Sequence, residues 1–326
     1  MSDVTLLVAD IGGTHGRFGL LEGDGLRPGG VGIEEGDAHA TFEDAVAAYL
    51  GKAGARPDRA VFAVAGPVDG GRARITNRPN WTIDAGSLRR RFGFAQVTLL
   101  NDFAAQALCL PHLEPDETRR IGGARPRAGV KAAVGPGTGL GVAALLPEGN
   151  GWRALAGEGG HVEFAAVTPR EAAAFEVIRK ARGRVSAEDV LSGPGLARLH
   201  DAFAAIDGET EPGLQPGEVV ASAGSGGARA AATVDAFLDM LARFCGDVAL
   251  TFGAWGGVHL CGGVAPRLLD RLDAARFRSC FEAKPPHGER LSAVATLVVL
   301  SPIAGLIGCA AAAQATDDPG SSRGSK

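Results

Sequence analysis

Positive charge, paired cysteines and uninterrupted apolar runs are what this sequence has least of. Its formal net charge is -4, so it offers no basic field for nucleic-acid phosphates, and nucleic acid is not an expected partner. The five cysteines, Cys109, Cys245, Cys261, Cys280 and Cys309, are scattered, with no Cys-x-x-Cys pair and no histidine at zinc-finger spacing. That pattern argues against a disulfide framework and fits thiols kept reduced in a cytoplasm. The opening apolar run, Val4 to Val8, stops before Asp10 and is too short and too acidic for a secretory signal. Val294 to Ala313 is long enough to cross a bilayer, but Ser301-Pro302 divides it. A buried strand over Thr296 to Leu300 and an Ala- and Gly-rich helix from about Pro302 are expected there instead of a membrane span. Three nucleotide signatures are missing: the Gly-x-x-x-x-Gly-Lys phosphate loop, the dinucleotide Gly-x-Gly-x-x-Gly (Gly137, Gly139 and Gly141 are wrongly spaced) and the protein-kinase set.

What is present is length and glycine. The 326 residues make about two domains at roughly 100–200 residues each. With 45% hydrophobic and 21% charged residues the composition is that of a soluble globular protein. Glycine, 49 of 326, is about twice its usual share. It clusters between apolar runs without a repeating period, which excludes collagen and favours an α/β ligand binder. Strands are expected at Thr5 to Ala9, Arg17 to Leu21, Val61 to Ala65 and Val97 to Leu100. Helices are expected from Phe42 to Leu50 (capped by Thr41 and ended by Gly51), Asp84 to Phe92 and Phe103 to Leu110. Strand–helix alternation implies a largely parallel sheet with ligands at its carboxyl edge. Val234, Phe237, Leu238, Leu241, Phe244 and Val248 mark one apolar face of a long helix. Asp207 to Gly227, rich in Gly, Pro and acid, reads as a loop. The stretch from Val8 through Thr14 resembles that from Ala133 through Gly141: an apolar strand, a Gly/Thr turn, then a second apolar strand. Both a duplicated plan and two unrelated hairpins fit that likeness.

The chemistry is concentrated in a few short segments. The glycines of Gly12-Gly13-Thr14 and Gly137-Thr138-Gly139 let backbone N–H groups approach phosphate oxygens, and the threonines add hydroxyl donors. Asp10, at a strand end before the first turn, can hold magnesium through water. Asn101-Asp102 closes a strand and precedes a helix. The pair suits proton acceptance from a substrate hydroxyl, and it equally suits a helix N-cap. Glu158 and His161, separated by two glycines, read as a loop that presents a carboxylate and an imidazole to adjacent hydroxyls of a polyol. Glu188 on its own reads as a helix-surface charge.

Taken together these segments resemble the bacterial glucokinase family, of the hexokinase/actin-like ATPase superfamily, from about Val4 to Ala311. The motifs are Asp10-Ile-Gly-Gly-Thr-His-Gly-Arg17, Thr76-Asn77-Arg-Pro-Asn-Trp81, Asn101-Asp-Phe103, Gly135-Pro-Gly-Thr-Gly-Leu-Gly141, Gly157-Glu-Gly-Gly-His161, Ser186-Ala-Glu-Asp-Val-Leu-Ser-Gly-Pro-Gly195 and Gly262-Gly-Val-Ala-Pro-Arg267. The resemblance implies two ribonuclease H-like (actin-like ATPase) α/β domains with an interdomain cleft, over residues 1–115 and 116–316; residues 317–326, with Asp, Pro, Gly and Ser and no apolar anchor, are expected to form a disordered tail. The C-terminal helix would be free to pack back on the smaller, first domain. It also implies phosphorylation of glucose by ATP with Mg2+, in a cytoplasmic, homodimeric, glycolytic enzyme. Asp102 takes the role of general base. Asn77, Asn101, Asp102, Glu158, His161 and Glu188 take those of sugar ligands. Gly12, Gly13, Thr14, Gly137, Thr138 and Gly139 take those of the phosphate turns, and Gly262 and Gly263 that of the adenosine-side turn. A kinase for mannose, fructose or an N-acetylated amino sugar, or a sugar sensor of the same fold, are the alternatives. Two departures stand out. His15-Gly16 replaces the family's usual Asn-Ala, which weakens a phosphate-side hydrogen bond or hands it to His15. No cysteine follows His161, so the zinc of the related repressor-type kinases is not expected.

Overall fold

The computed structural model describes residues 4–75, 78–209 and 213–317, and every element below is drawn from them. The chain divides into two compact units. The first takes the chain up to Pro115, Leu145–Ala156 and the residues from Ser301 onward; the second takes Asp116–Ala144 and Gly157–Leu300.

The first unit begins with β1 (Val4–Ile11), β2 (His15–Glu22), β3 (Gly29–Glu35) and α1 (Phe42–Ala53). Then come β4 (Arg59–Val64) and three short strands, β5 (Val68–Asp69), β6 (Arg72–Ile75) and β7 (Arg78–Asp84). They are followed by α2 (Ala85–Phe92), β8 (Gln96–Asn101) and α3 (Asp102–Cys109). The main sheet has the order β3-β2-β1-β4-β8, with β1, β4 and β8 parallel. Residues of β1 alternate between two cores, as strand geometry requires. Leu7, Ala9 and Ile11 face Phe18, Phe42 and Phe62, while Leu6 and Val8 face the opposite layer.

The second unit follows the same plan. The second sheet is built from β9 (Thr118–Ile121), β10 (Lys131–Pro136), β11 (Leu140–Glu148) and β12 (Gly151–Gly157), of which Leu145–Ala156 is counted with the first unit. Helices α4 (Pro169–Arg182), α5 (Ala187–Val190), α6 (Gly193–Ile206), α7 (Pro216–Gly224) and α8 (Ala228–Phe252) come next. Then come β13 (Gly257–Leu260), α9 (Ala274–Glu282), α10 (Gly288–Ser292) and β14 (Thr296–Val299), followed by α11 (Ala304–Asp317), which belongs to the first unit. Sheet order among the described residues is β12-β11-β10-β13-β14-β9, with β10, β13 and β14 parallel. Apart from the added β9, this repeats the first sheet strand for strand, so the likeness of the two Gly/Thr turns reflects a duplicated plan.

Several boundaries differ from expectation for readable reasons. Thr41 caps α1, but the helix passes through Gly51 and ends where Gly54 takes the left-handed conformation, φ 63°. The expected loop over Asp207 to Gly227 contains α7. Pro216 occupies its first turn, and Gln215 and Glu218 form a reciprocal capping box that outweighs the Gly-rich composition. The apolar run near the C-terminus divides into β14 and α11, and no described helix is long and apolar enough to cross a membrane. Of the tail expected from Asp317, only Asp317 is described, as the last residue of α11; the rest lies outside the described residues.

Candidate active site

In the first unit the register of the parallel strands sets the site. Asp10 pairs with Ala63, and Val64 with Asn101, so Asp10, Asn101 and the turn after β1 share one carboxyl edge. Gly12 N–H donates to the His15 carbonyl at 3.1 Å and closes the turn, and Gly36 N–H ties Thr14 O to the end of β3 at 2.9 Å. Gly16 is explained by its neighbours: a Cβ there would stand 3.0 Å from both the Ile11 side chain and the Phe18 ring. Burial pushes the Asp10 carboxyl above its ordinary range, against the opposing charges of Arg17 and His15. A carboxylate disfavoured in this way gains from a nearby cation. Magnesium takes one or two carboxylates and draws the rest of its shell from water and phosphate oxygens, so Asp10 fits it. Among the described residues no group of three or more His, Cys, Asp or Glu side chains converges as a metal cage.

Asn101 and Asp102 stand where β8 becomes α3. Asn101 is the N-cap: its Oδ1 accepts from Phe103 N at 2.9 Å and Ala104 N at 3.2 Å, while Nδ2 donates to Gly66 O at 3.4 Å. Asp102 is the first helical residue, half-buried, at the end of a helix that favours negative charge. Asn101 is thus the residue that caps α3, and Asp102 Oδ1 also accepts from Phe103 N at 3.0 Å. α3 in turn packs against α11.

In the second unit Gly137 N–H donates to Gly139 O at 2.8 Å, and Gly193 N–H to Gly137 O at 2.7 Å. The Gly262-Gly263 turn lies beside the end of β10: Cys261 N–H donates to Val134 O at 2.8 Å and Val264 N–H to Pro136 O at 3.2 Å. Gly262 is left-handed, φ 79°, and a Cβ there would meet Pro136 O at 3.0 Å. Gly159–His161 forms a single 3-10 turn rather than open loop. The side chains of Glu158 and His161 project from it, 70% and 51% exposed, with Oε2 and Nε2 3.8 Å apart. Glu188, expected as a surface charge, is half-buried and accepts the Leu140 N–H at 2.9 Å. It sits on α5, whose start is locked by Ser186 and Asp189 in a capping box.

Thus Asp10, Gly12, Gly13, Thr14, Asn101 and Asp102 are gathered in the first unit. Gly137, Thr138, Gly139, Gly262, Gly263, Glu158, His161 and Glu188 are gathered in the second. Asn77 lies outside the described residues. Sequence reasoning passed over Gly305 and Gly308 of α11. A Cβ at Gly305 would stand 2.6 Å from Asp10 Cγ, and one at Gly308 would stand 2.5 Å from the Ala105 carbonyl carbon. It also passed over Asp189, which the Ser-x-x-Asp spacing could have flagged.

Two sheets that share one strand order apart from β9, with a Gly/Thr turn joining β1 to β2 in one and β10 to β11 in the other, define the actin-like ATPase fold of sugar kinases. Solved structures share it. A glucokinase from an Antarctic psychrotroph superposes with TM-score 0.85 at 34% identity, over 95% of this chain and 98% of that one. The Balamuthia mandrillaris glucokinase, solved with glucose, gives 0.80 at 18% identity, over 95% and 93%, a likeness of fold alone. More particularly, the chain belongs to the glucokinase family, whose model matches residues 7–316. It is 43% identical over 312 residues to the glucokinase of Aromatoleum aromaticum, covering 94% of this chain and 93% of that protein. The glucokinase of Caulobacter vibrioides is likewise 43% identical, over 316 residues, covering 94% of each chain.

Proposed function

We propose that the chain transfers the γ-phosphoryl group of ATP to the primary hydroxyl of D-glucose, giving glucose 6-phosphate and ADP. Asp102 accepts the hydroxyl proton as the sugar oxygen bonds to the γ-phosphorus, and the bond from that phosphorus to the ADP oxygen breaks in line. Asn77, Asn101, Glu158, His161 and Glu188 orient the sugar. The N–H groups of the Gly12-Gly13-Thr14 and Gly137-Thr138-Gly139 turns receive the phosphates, while Gly262 and Gly263 let the nucleoside lie against backbone. Magnesium, held by Asp10 through water, neutralises phosphate charge when bound. The same reading carries a cytoplasmic, glycolytic homodimer.

Family membership supports this reading, and one geometric observation carries it. Asp102 opens α3 on the same sheet edge as Asp10 and the first glycine turn, so proton acceptor and phosphate turn share one rigid support. A coupled ADP-release assay across glucose, mannose, fructose and N-acetylglucosamine tests it, with the highest kcat/KM expected for glucose. A faster turnover of another hexose, or none of glucose, overturns it. Asp102→Ala should lower kcat by about a hundredfold or more, the scale of a lost general base, and affect sugar binding far less.

A further inference from the structure

Several contacts converge on one backbone unit, Leu140, the residue that leaves the second glycine turn and opens β11. Its amide donates to Glu188 Oε2 at 2.9 Å. Its carbonyl is covered by Gly160 of the Glu158–His161 turn, where a Cβ would stand 3.0 Å from the carbonyl carbon and closer still to the oxygen. Gly139, one residue back, lies directly on the Glu188 carboxylate: a Cβ there would come 2.5 Å from Oε2 and 4.0 Å from Oε1. Glu188 is itself held in place. Ser186 N and Oγ donate to Asp189 Oδ2 at 2.9 and 2.7 Å, and Ser192 Oγ donates to the Glu188 carbonyl at 2.8 Å. Arg182 Nε lies 2.5 Å from Asp189 Oδ1.

We propose that Glu188 serves both substrates. One carboxylate oxygen, Oε2, positions the nucleotide's phosphate turn through Leu140 N–H, while Oε1 meets the sugar. This deepens the reading above and rests on it. Nucleotide affinity then depends on residue 188 even when no sugar is present. A hydrogen bond to a charged group is strong enough to shift that affinity by roughly tenfold. Glutamine keeps an oxygen for the Leu140 amide and replaces the other by a donor; alanine keeps neither.

Calorimetric titration of AMPPNP with Mg2+, in the absence of sugar, tests the proposal, with glucose titrated separately. Glu188→Ala is expected to raise the nucleotide Kd by about tenfold and Glu188→Gln by less than about twofold, while both weaken glucose binding. Gly139→Ala, whose methyl group displaces Oε2, is expected to weaken nucleotide binding in the wild-type background and to add nothing in Glu188→Ala. Wild-type nucleotide affinity in folded Glu188→Ala overturns the proposal. Should that variant not fold, unaltered nucleotide affinity in Gly139→Ala overturns it instead. Loss of the glucose-kinase reading would show separately, as failure of the wild-type protein to release ADP with glucose.

Discussion

The contact between α3 and α11 gives one substitution opposite signs at two places. A Cβ at Gly308 would lie 2.5 Å from the Ala105 carbonyl carbon and 2.9 Å from its Cα. Ordinary carbon contacts need about 3.5–4.0 Å, so Gly308→Ala forces the two helix backbones apart by about 1 Å. Overpacking of this kind costs roughly 1–3 kcal/mol. Alanine's better helix propensity returns about 1 kcal/mol, leaving a net loss of up to about 2 kcal/mol. Ala105 is one turn from Asp102, the proposed proton acceptor, so the displacement also reaches that carboxylate. Misplacement by about 1 Å can lower turnover by about a hundredfold. Gly51, inside α1, has nothing within 4 Å of a Cβ, and Gly51→Ala should stabilise by about 0.5–1 kcal/mol with kcat unchanged. Urea unfolding read by circular dichroism, beside kcat for both variants, makes the comparison. Equal stability changes in the two, or a Gly308→Ala protein with wild-type stability and turnover, would refute the steric reasoning.

Other outcomes follow from the second unit's buried charges. Glu171 Oε2 accepts from Arg243 Nη2 at 2.7 Å and Val167 N at 2.8 Å, with both charged side chains almost enclosed. Glu171→Met alone should cost about 3–5 kcal/mol, because it strands the guanidinium, whereas Glu171→Met with Arg243→Met should cost much less; thermal unfolding of the set checks this. His259 is buried, and desolvation first, then the charge of Lys131, lowers its pKa from 6.5 to about 4. Between those values the unfolded chain takes up a proton that the folded one refuses. Stability therefore falls as pH drops through that window, by roughly 2 kcal/mol at pH 5. His259→Gln should remove that part of the acid loss between pH 7 and pH 5 in denaturant titrations, and an unchanged loss would contradict it.

Features set by neighbours in the chain could be read from the amino-acid order. Thr41, Asp84 and Gly93 cap their helices as their residue types predict, and the two glycine turns follow their strands. The long apolar face of α8 is buried at Val234, Phe237, Leu238, Leu241, Phe244 and Val248. Features set by distant partners could not. Nothing near Glu188 indicates that its acceptor oxygen is matched to an amide 48 residues away. Gly305 and Gly308 look like breakers in an Ala-rich helix until Asp10 and Ala105 are placed beside them. Choosing between Gly51 and Gly54 as the end of α1 needed a dihedral angle. α7 was hidden because its capping side chains are embedded in residues typical of turns.

α11 begins only at Ala304, yet it covers residues as early in the chain as Leu6 and Val8. Leu306, Cys309, Ala310 and Ala313 close the layer formed by Leu6, Val8, Val61 and Ala63. A ribosome making this protein therefore releases the leading strands with one side of their sheet only partly covered, by α3, and the rest of that side stays open to water or to a chaperone until residues 304–317 have emerged. Premature termination anywhere before residue 304 would leave an apolar surface uncapped, and quality control could recognise such fragments by it.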